Sequence, residues 1–284
     1  MKQLIKHVHS MISILLQGGL GNQLFQLFTA ISYALDQKEK IVIPTEKIDG
    51  HNRPTYWTSL LKRLKESVEK VDVKKIQKLA EAGFHYTPLP LVPNVMLVGY
   101  FQSYKYFEKH YEIIYRMLGI EKKKNELLSK LELSKDLLEN SCSMHFRIGD
   151  YKKIQHVHPL ATYGYYERSL THLQKEIPDK NFTIYYFCEE DDLEDVLQIV
   201  SPLAEKFLDY KFERGFKDLD DWEQMLLMSC CHHNIIANSS FSWWSAYFNT
   251  WEDKIVCYPS IWFGPDIKHD TKDLCPFTFN SIIV

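Results

Sequence analysis

A histidine and an arginine two residues apart, followed by a glycine and an acid, make the most chemically suggestive run in the chain: Ser143-Met144-His145-Phe146-Arg147-Ile148-Gly149-Asp150-Tyr151. Alternation puts His145 and Arg147 on one face near the carboxyl end of an expected strand, with Met144 and Phe146 on the other. In open α/β sheets, ligands bind at that end. Arg147 can hold a phosphate through a fork of charge-assisted hydrogen bonds, and Gly149 lets the chain turn away sharply. Asp150 reads equally as a base or as the carboxylate that orients Arg147. A surface ion pair would be the ordinary reading of Arg and Asp alone. His145 on the same face argues against it.

Two further stretches have the same form, a strand ending in a small-residue turn that opens a helix. Gln17-Gly18-Gly19-Leu20-Gly21-Asn22-Gln23 follows the first apolar run. Glycines permit positive φ and close backbone approach, and the helix start offers unpaired N–H groups to an anion. The turn is neither G-x-G-x-x-G nor a Walker loop. A plain strand–helix turn accounts for its shape, but the carboxamides of Asn22 and Gln23 suit hydroxyls or phosphate oxygens. Asn238-Ser239-Ser240-Phe241-Ser242-Trp243-Trp244-Ser245 can cap a helix and also donate to a phosphate. Trp243 and Trp244 read as packing.

Weaker signals are the acidic run Glu189–Asp192 and the pairs His156/His158 and His232/His233. The acids suit a helix N-terminus, or else accept from a nucleobase or ribose, with Glu190 or Glu189 best placed. Neither histidine pair has a nearby Cys or carboxylate at ligand spacing, so no metal is expected.

The elements that must position these groups alternate between β-rich and helical patterns. Strands are expected at 11–16, 41–43, 95–100, 142–146, 182–187, 234–237 and 255–258. Helices are expected at 22–35, 106–118, 163–175, from 193, 219–230 and from 242, with 57–82 mostly helical in period. Such alternation argues parallel sheets covered on both faces. The fold class expected is α/β, as two Rossmann-like domains. The Lys-, Glu- and Leu-rich stretch 121–139 sets the boundary, giving domains 1–138 and 139–284. Three polar turns at strand ends suggest one cleft between them.

Bulk properties narrow the class. The 284 residues include 34 Lys+Arg and 37 Asp+Glu, a net charge of −3, so no global field steers the chain to nucleic acid. The run 11–16 is too short to span a bilayer, and no signal-peptide pattern surrounds it. Six cysteines without C-x-x-C spacing fit a reducing compartment. A cytoplasmic protein, or one peripheral to a membrane bearing its substrate, is expected.

The motifs GGLGNQLFQ, GYFQSYKYF at 99–107, HFRIGDY at 145–151, LMSCCHHNIIANSSFSWWSA at 227–246 and the later PSIWF together resemble the α-1,2-fucosyltransferases. The resemblance runs in order from about residue 11 to 263. It implies a GT-B architecture of two Rossmann-like domains facing across a cleft, and metal-independent transfer of L-fucose from GDP-β-L-fucose with inversion. The acceptor implied is O-2 of a galactose in a glycan. No cofactor is implied; the partners are the donor and a galactose-containing acceptor glycan.

Carried over by motif, His145 would lie near the nucleoside and Arg147 would bind the diphosphate. Asn238, Ser239, Ser240, Phe241 and Ser242 would line the donor pocket, with Glu190 on the guanine. Gly18, Gly19, Gly21, Asn22 and Gln23 would face fucose, diphosphate or acceptor. Arg147, Asp150 and Asn22 are the candidates for catalysis. Two departures stand out: the family's H-x-R-R-G-D-Y has a second Arg where this chain has Ile148, and its F-S-D-D is here Phe187-Cys188-Glu189-Glu190. The rival readings are a transferase using another nucleotide sugar and an inactive nucleotide- or glycan-binding protein.

Overall fold

The computed structural model describes residues 10–45, 54–178 and 180–284. The chain divides into two compact units, Met1–Ile120 with Lys272–Leu274, and Glu121–Thr271 with Cys275–Val284. Part of the reading of the N-terminus, at residues 1–9, lies outside the described residues.

The first unit is built on a parallel sheet of β1 (Met11–Ile14), β2 (Lys40–Pro44), β3 (Val68–Glu69), β4 (Gln77–Ala80) and β5 (Val95–Val98), in the order β3-β2-β1-β5-β4. Ile12 and Ile14 of the central strand are fully buried, as are Leu24, Phe25, Leu27 and Phe28 on helix α1 (Leu20–Gln37). A helix apolar on nearly every side belongs inside a core. Phe28 meets Phe107 edge-on at 5.4 Å, and α2 (Tyr111–Leu118) adds buried Ile114 and Leu118.

The helix expected over 57–82 is not formed. A 3-10 segment (Lys62–Ser67), β3 and β4 occupy that stretch. Leu60, Leu61 and Leu64 are buried at helical spacing, but only over one short turn. Further on, β4 is drawn into the sheet by pairing from Gln77–Val95 to Ala80–Val98, tertiary pairing that overrides local period.

The second unit opens with α3 (Ile120–Lys130) and α4 (Lys135–Leu138). The boundary expected at 138/139 therefore falls earlier, at 120/121. Leu138 packs with Cys230 and Cys231, and Lys130 pairs with Glu223 at 2.7 Å. Charged composition marked these helices as surface elements but not which core they cover.

Six parallel strands follow: β6 (Ser141–His145), β7 (Phe182–Phe187), β8 (Tyr210–Arg214), β9 (His233–Ile235), β10 (Val256–Pro259) and β11 (Asn280–Ile282). Helices α5 (Tyr163–Glu176), α6 (Leu193–Lys206), α7 (Asp221–Met228) and α8 (Ser240–Tyr247) connect them. The order β11-β10-β9-β6-β7-β8, counted from β6, is that of the doubly wound dinucleotide-binding sheet. Winding reverses between β6 and β9, which makes their carboxyl ends the expected binding crevice. Strands β8 and β11 were not expected; both are edge strands whose largely accessible side chains carry little alternation. No described helix is long and apolar enough to cross a membrane.

Candidate functional site

Strand β6 sends alternate side chains to opposite faces. Cys142, Met144, Phe146 and Ile148 enter one apolar core with Tyr166, Leu170 and Ile184. Ile148, where the resembling family has its second Arg, is thus a core residue pointing away from Arg147.

His145 is 8% exposed, and its ring lies 5.5 Å from that of Phe241. Its Nδ1 is buried without a hydrogen-bond partner. Burial, and then the charge of Arg147, push its pKa down to about 3, so the ring is neutral near pH 7. The Tyr166 hydroxyl of α5 donates to the His145 carbonyl at 3.0 Å. That of Tyr165 lies 2.6 Å from the Ile236 carbonyl and 3.1 Å from that of Cys257. These tyrosines fasten α5 to the ends of β6 and β9 and to β10.

The Arg147 guanidinium is held on two sides, by Asp150 through Nη2 at 2.5 Å and by Glu189 through Nη1. It also stands 5.0 Å over the Tyr151 ring, which stacks on His158 at 4.6 Å. Burial works against the charge, but Asp150, Tyr151 and Glu189 outweigh it and hold the pKa above its ordinary value. Gly149 sits at φ 33°, a left-handed value, where the chain turns away from the strand, and donates its N–H to Asp192 at 2.7 Å. Asp192 is buried and Lys152 also reaches it, at 3.7 Å.

After β9, the chain turns into α8 through the serine-rich stretch. The Ser239 hydroxyl accepts from the Phe241 N–H at 3.3 Å, an N-cap. Ser242 is fully buried and bonds the carbonyls of Ala237 and Ser239. Asn238 donates to the carbonyls of Pro159 and Trp262 at 2.9 and 3.1 Å. Asn238 and Ser242 are therefore engaged in building the turn, while Ser240 and Phe241 are half-buried at the helix start. Trp243 and Trp244 are fully buried, as packing requires. Glu190, expected on a base, grips Arg214 at 2.6 and 3.3 Å, and that bond holds its pKa below the usual carboxylate range.

The Gly-rich turn lies in the first unit, the other candidates in the second. Gly18 alone of its glycines needs positive φ, at 75°; Gly19 is extended and Gly21 lies inside α1. Gln23, 1% exposed, donates to the carbonyls of Gly18 and Pro54, both at 3.0 Å. It staples the turn. Asn22 accepts from Gln102 at 2.9 Å.

Asp192 and Tyr166 are supports that sequence reasoning missed. Asp192 at least stood in the acidic run after β7; nothing in the sequence marks Tyr166. Among the described residues, no cluster of three or more His, Cys, Asp or Glu is arranged for a metal ion. His232 is instead stacked between His233 and Trp251, at 4.2 and 4.3 Å.

An arginine fork, a neutral buried imidazole and a capped helix start thus meet where the sheet's winding reverses. The model of "Glycosyl transferase family 11" matches residues 2–264. The chain belongs to this family. An O-antigen biosynthesis glycosyltransferase of Escherichia coli, WbnK, is 27% identical, over 89% of this chain and 95% of its own length. An α-1,2-colitosyltransferase of Escherichia coli is 29% identical, over 64% of this chain and 61% of its own. Among solved structures, a mutant of Arabidopsis thaliana FUT1 in complex with GDP is similar with a TM-score of 0.48 and 9% identity, over 87% of this chain and 70% of that one. This family 11 member is a glycosyltransferase, and the family is the one its five motifs pointed to.

Proposed function

We propose that this glycosyltransferase moves L-fucose from GDP-β-L-fucose to O-2 of a galactose in an acceptor glycan, with inversion and without a metal. The observation that supports it most is Arg147, placed with the start of α8 and the neutral His145 at the switch point of a dinucleotide-type sheet. As the bond from the anomeric carbon to the phosphate oxygen breaks, its electron pair leaves with GDP. A fixed guanidinium and the positive dipole end of a helix stabilise that charge without reorganising. His145 offers one unpaired ring nitrogen to the nucleoside. Asp150 acts by aiming Arg147, the contact it already makes. Asn22 and Gly19, on the turn that Gln23 staples, are assigned to the acceptor and the fucose.

The resemblance to an α-1,2-colitosyltransferase favours one second reading, a colitosyl donor with the same linkage. Incubation with GDP-fucose, the corresponding colitosyl nucleotide, GDP-mannose or UDP-galactose and a panel of galactose-terminated glycans tests both, with the linkage determined by NMR. Fucose at O-2 of galactose, formed equally well in EDTA, is the expected product. Transfer only from another nucleotide, or GDP binding with no transfer to any glycan, would overturn the reading.

A further inference from the structure

Two lysines lie at the far end of α8, where buried ammonium groups are costly. Lys124 of α3 is 4% exposed and donates to the Phe248 carbonyl at 3.1 Å. Lys254, in the loop before β10, is half-buried and donates to the carbonyls of Ala246, at 3.1 Å, and Asn249. Both therefore satisfy carbonyls that the last turn of a helix leaves unpaired. Asn249 fastens the same end to the sheet through the carbonyls of Cys231 and His232, at 2.9 and 3.1 Å.

The other end of α8 carries Ser240 and Phe241, the latter against His145. Between the ends, Ser242 to Ala246 are fully buried. The field of charges at the carbonyl end thus crosses protein rather than water, and is weakly screened.

Resting on the donor reading above, we propose that Lys254, backed by Lys124, is an electrostatic positioning residue for the donor. Its charge at the carbonyl end of α8 strengthens the hold of the amide end on a nucleoside diphosphate. Neither lysine touches the ligand. They cap the helix dipole, so that the helix start presents its positive end undiminished.

The charge is also titratable. Burial, and then the neighbouring Lys124, bring the Lys254 pKa down to about 8. Lys124 is lowered by burial too, with Cys230, Glu121 and Lys135 around it. Cys230 is pushed up to about 11, by burial first, and so stays a neutral thiol through the window of interest.

Calorimetry with GDP and with guanosine, at pH 7 to 9, tests the proposal on the wild-type chain, Lys254→Met and Lys254→Arg. Guanosine lacks the charged diphosphate, so the field has no net charge on it to act on. We expect Lys254→Met to bind GDP about three- to tenfold more weakly at pH 7, with guanosine unchanged. Wild-type GDP affinity should fall by a similar factor through a midpoint near pH 8, and Lys254→Arg should abolish that fall. Equal losses for GDP and guanosine in Lys254→Met would mean packing alone, and overturn the proposal. A pH-independent wild-type GDP affinity would do the same even if Lys254→Met fails to fold. No GDP binding by the wild type at pH 7 would overturn the donor reading itself, and this inference with it.

Discussion

At the scale of single residues, Arg147 is where charge is decided. Both of its amine ends are occupied by carboxylates, of which Glu189 is 64% exposed and sits on a different strand end. An incoming diphosphate must compete with Glu189 for the fork. Replacing Glu189 with Gln should therefore tighten GDP binding several-fold and leave guanosine binding unchanged, as calorimetry would show; weaker GDP binding would instead make Glu189 a base contact. Arg147→Ala should cut turnover by about a hundredfold or more if the fork neutralises the leaving group. Near-wild-type turnover in a folded Arg147→Ala protein would remove that role.

His145 links the same site to stability. Its pKa, and that of His233, are lowered by burial to about 3 from an ordinary value near 6.5. A depressed folded-state value means that, as pH falls below about 6.5, the unfolded chain takes up a proton the folded chain refuses. Stability is then undiminished above that pH and falls as pH drops towards 3, by about 1.4 kcal/mol per pH unit for each histidine. Denaturant midpoints at pH 7, 6 and 5 should decline accordingly, and His145→Gln should lessen the slope. An unchanged slope would mean that the imidazole is not buried neutral.

Among the elements, α5 matters through two adjacent hydroxyls. Tyr165 and Tyr166 are fully buried and would read as core aromatics, yet each meets a carbonyl at a strand end, where the sheet ladder stops. Tyr166→Phe leaves the shape and removes one donor from the His145 carbonyl. The cost expected is about 1–2 kcal/mol of stability, together with weaker nucleotide binding, because the strand end bearing His145 loses its tether. Unchanged GDP affinity in Tyr166→Phe would show that β6 is held by its ladder alone. The turn at Gly149 is a second element-scale device, since a positive φ and the bond from its N–H to Asp192 let the chain leave β6 with Arg147 still beside it.

On the scale of the whole molecule, a segment near the C-terminus completes the first unit. Asp273 is 7% exposed, pairs with Lys105 at 2.5 Å, and accepts from the Tyr86 N–H at 3.2 Å. Its own carbonyl accepts from the buried Ser103 hydroxyl at 2.7 Å. Removing the carboxylate leaves a backbone N–H and an ammonium without their acceptor. Asp273→Ala should lower the melting temperature by about 2–6 °C, measured by calorimetry. No change would make this pairing incidental.

What the sequence determined by itself was the set of local rules. Alternation put His145 and Arg147 opposite Met144, Phe146 and Ile148, glycine provided the turn at 149, and strand–helix alternation made the sheets parallel. Those features depend on neighbours one to four residues away, so a single chain displays them. The tertiary structure decided what depends on distant partners. It pulled 77–80 into a strand, gave 121–138 to the second unit, and paired Glu190 with Arg214. It also brought Lys124 and Lys254, 130 positions apart, to one helix end. Pairing, burial and electrostatics act through space, and local sequence carries no record of which remote residue will arrive.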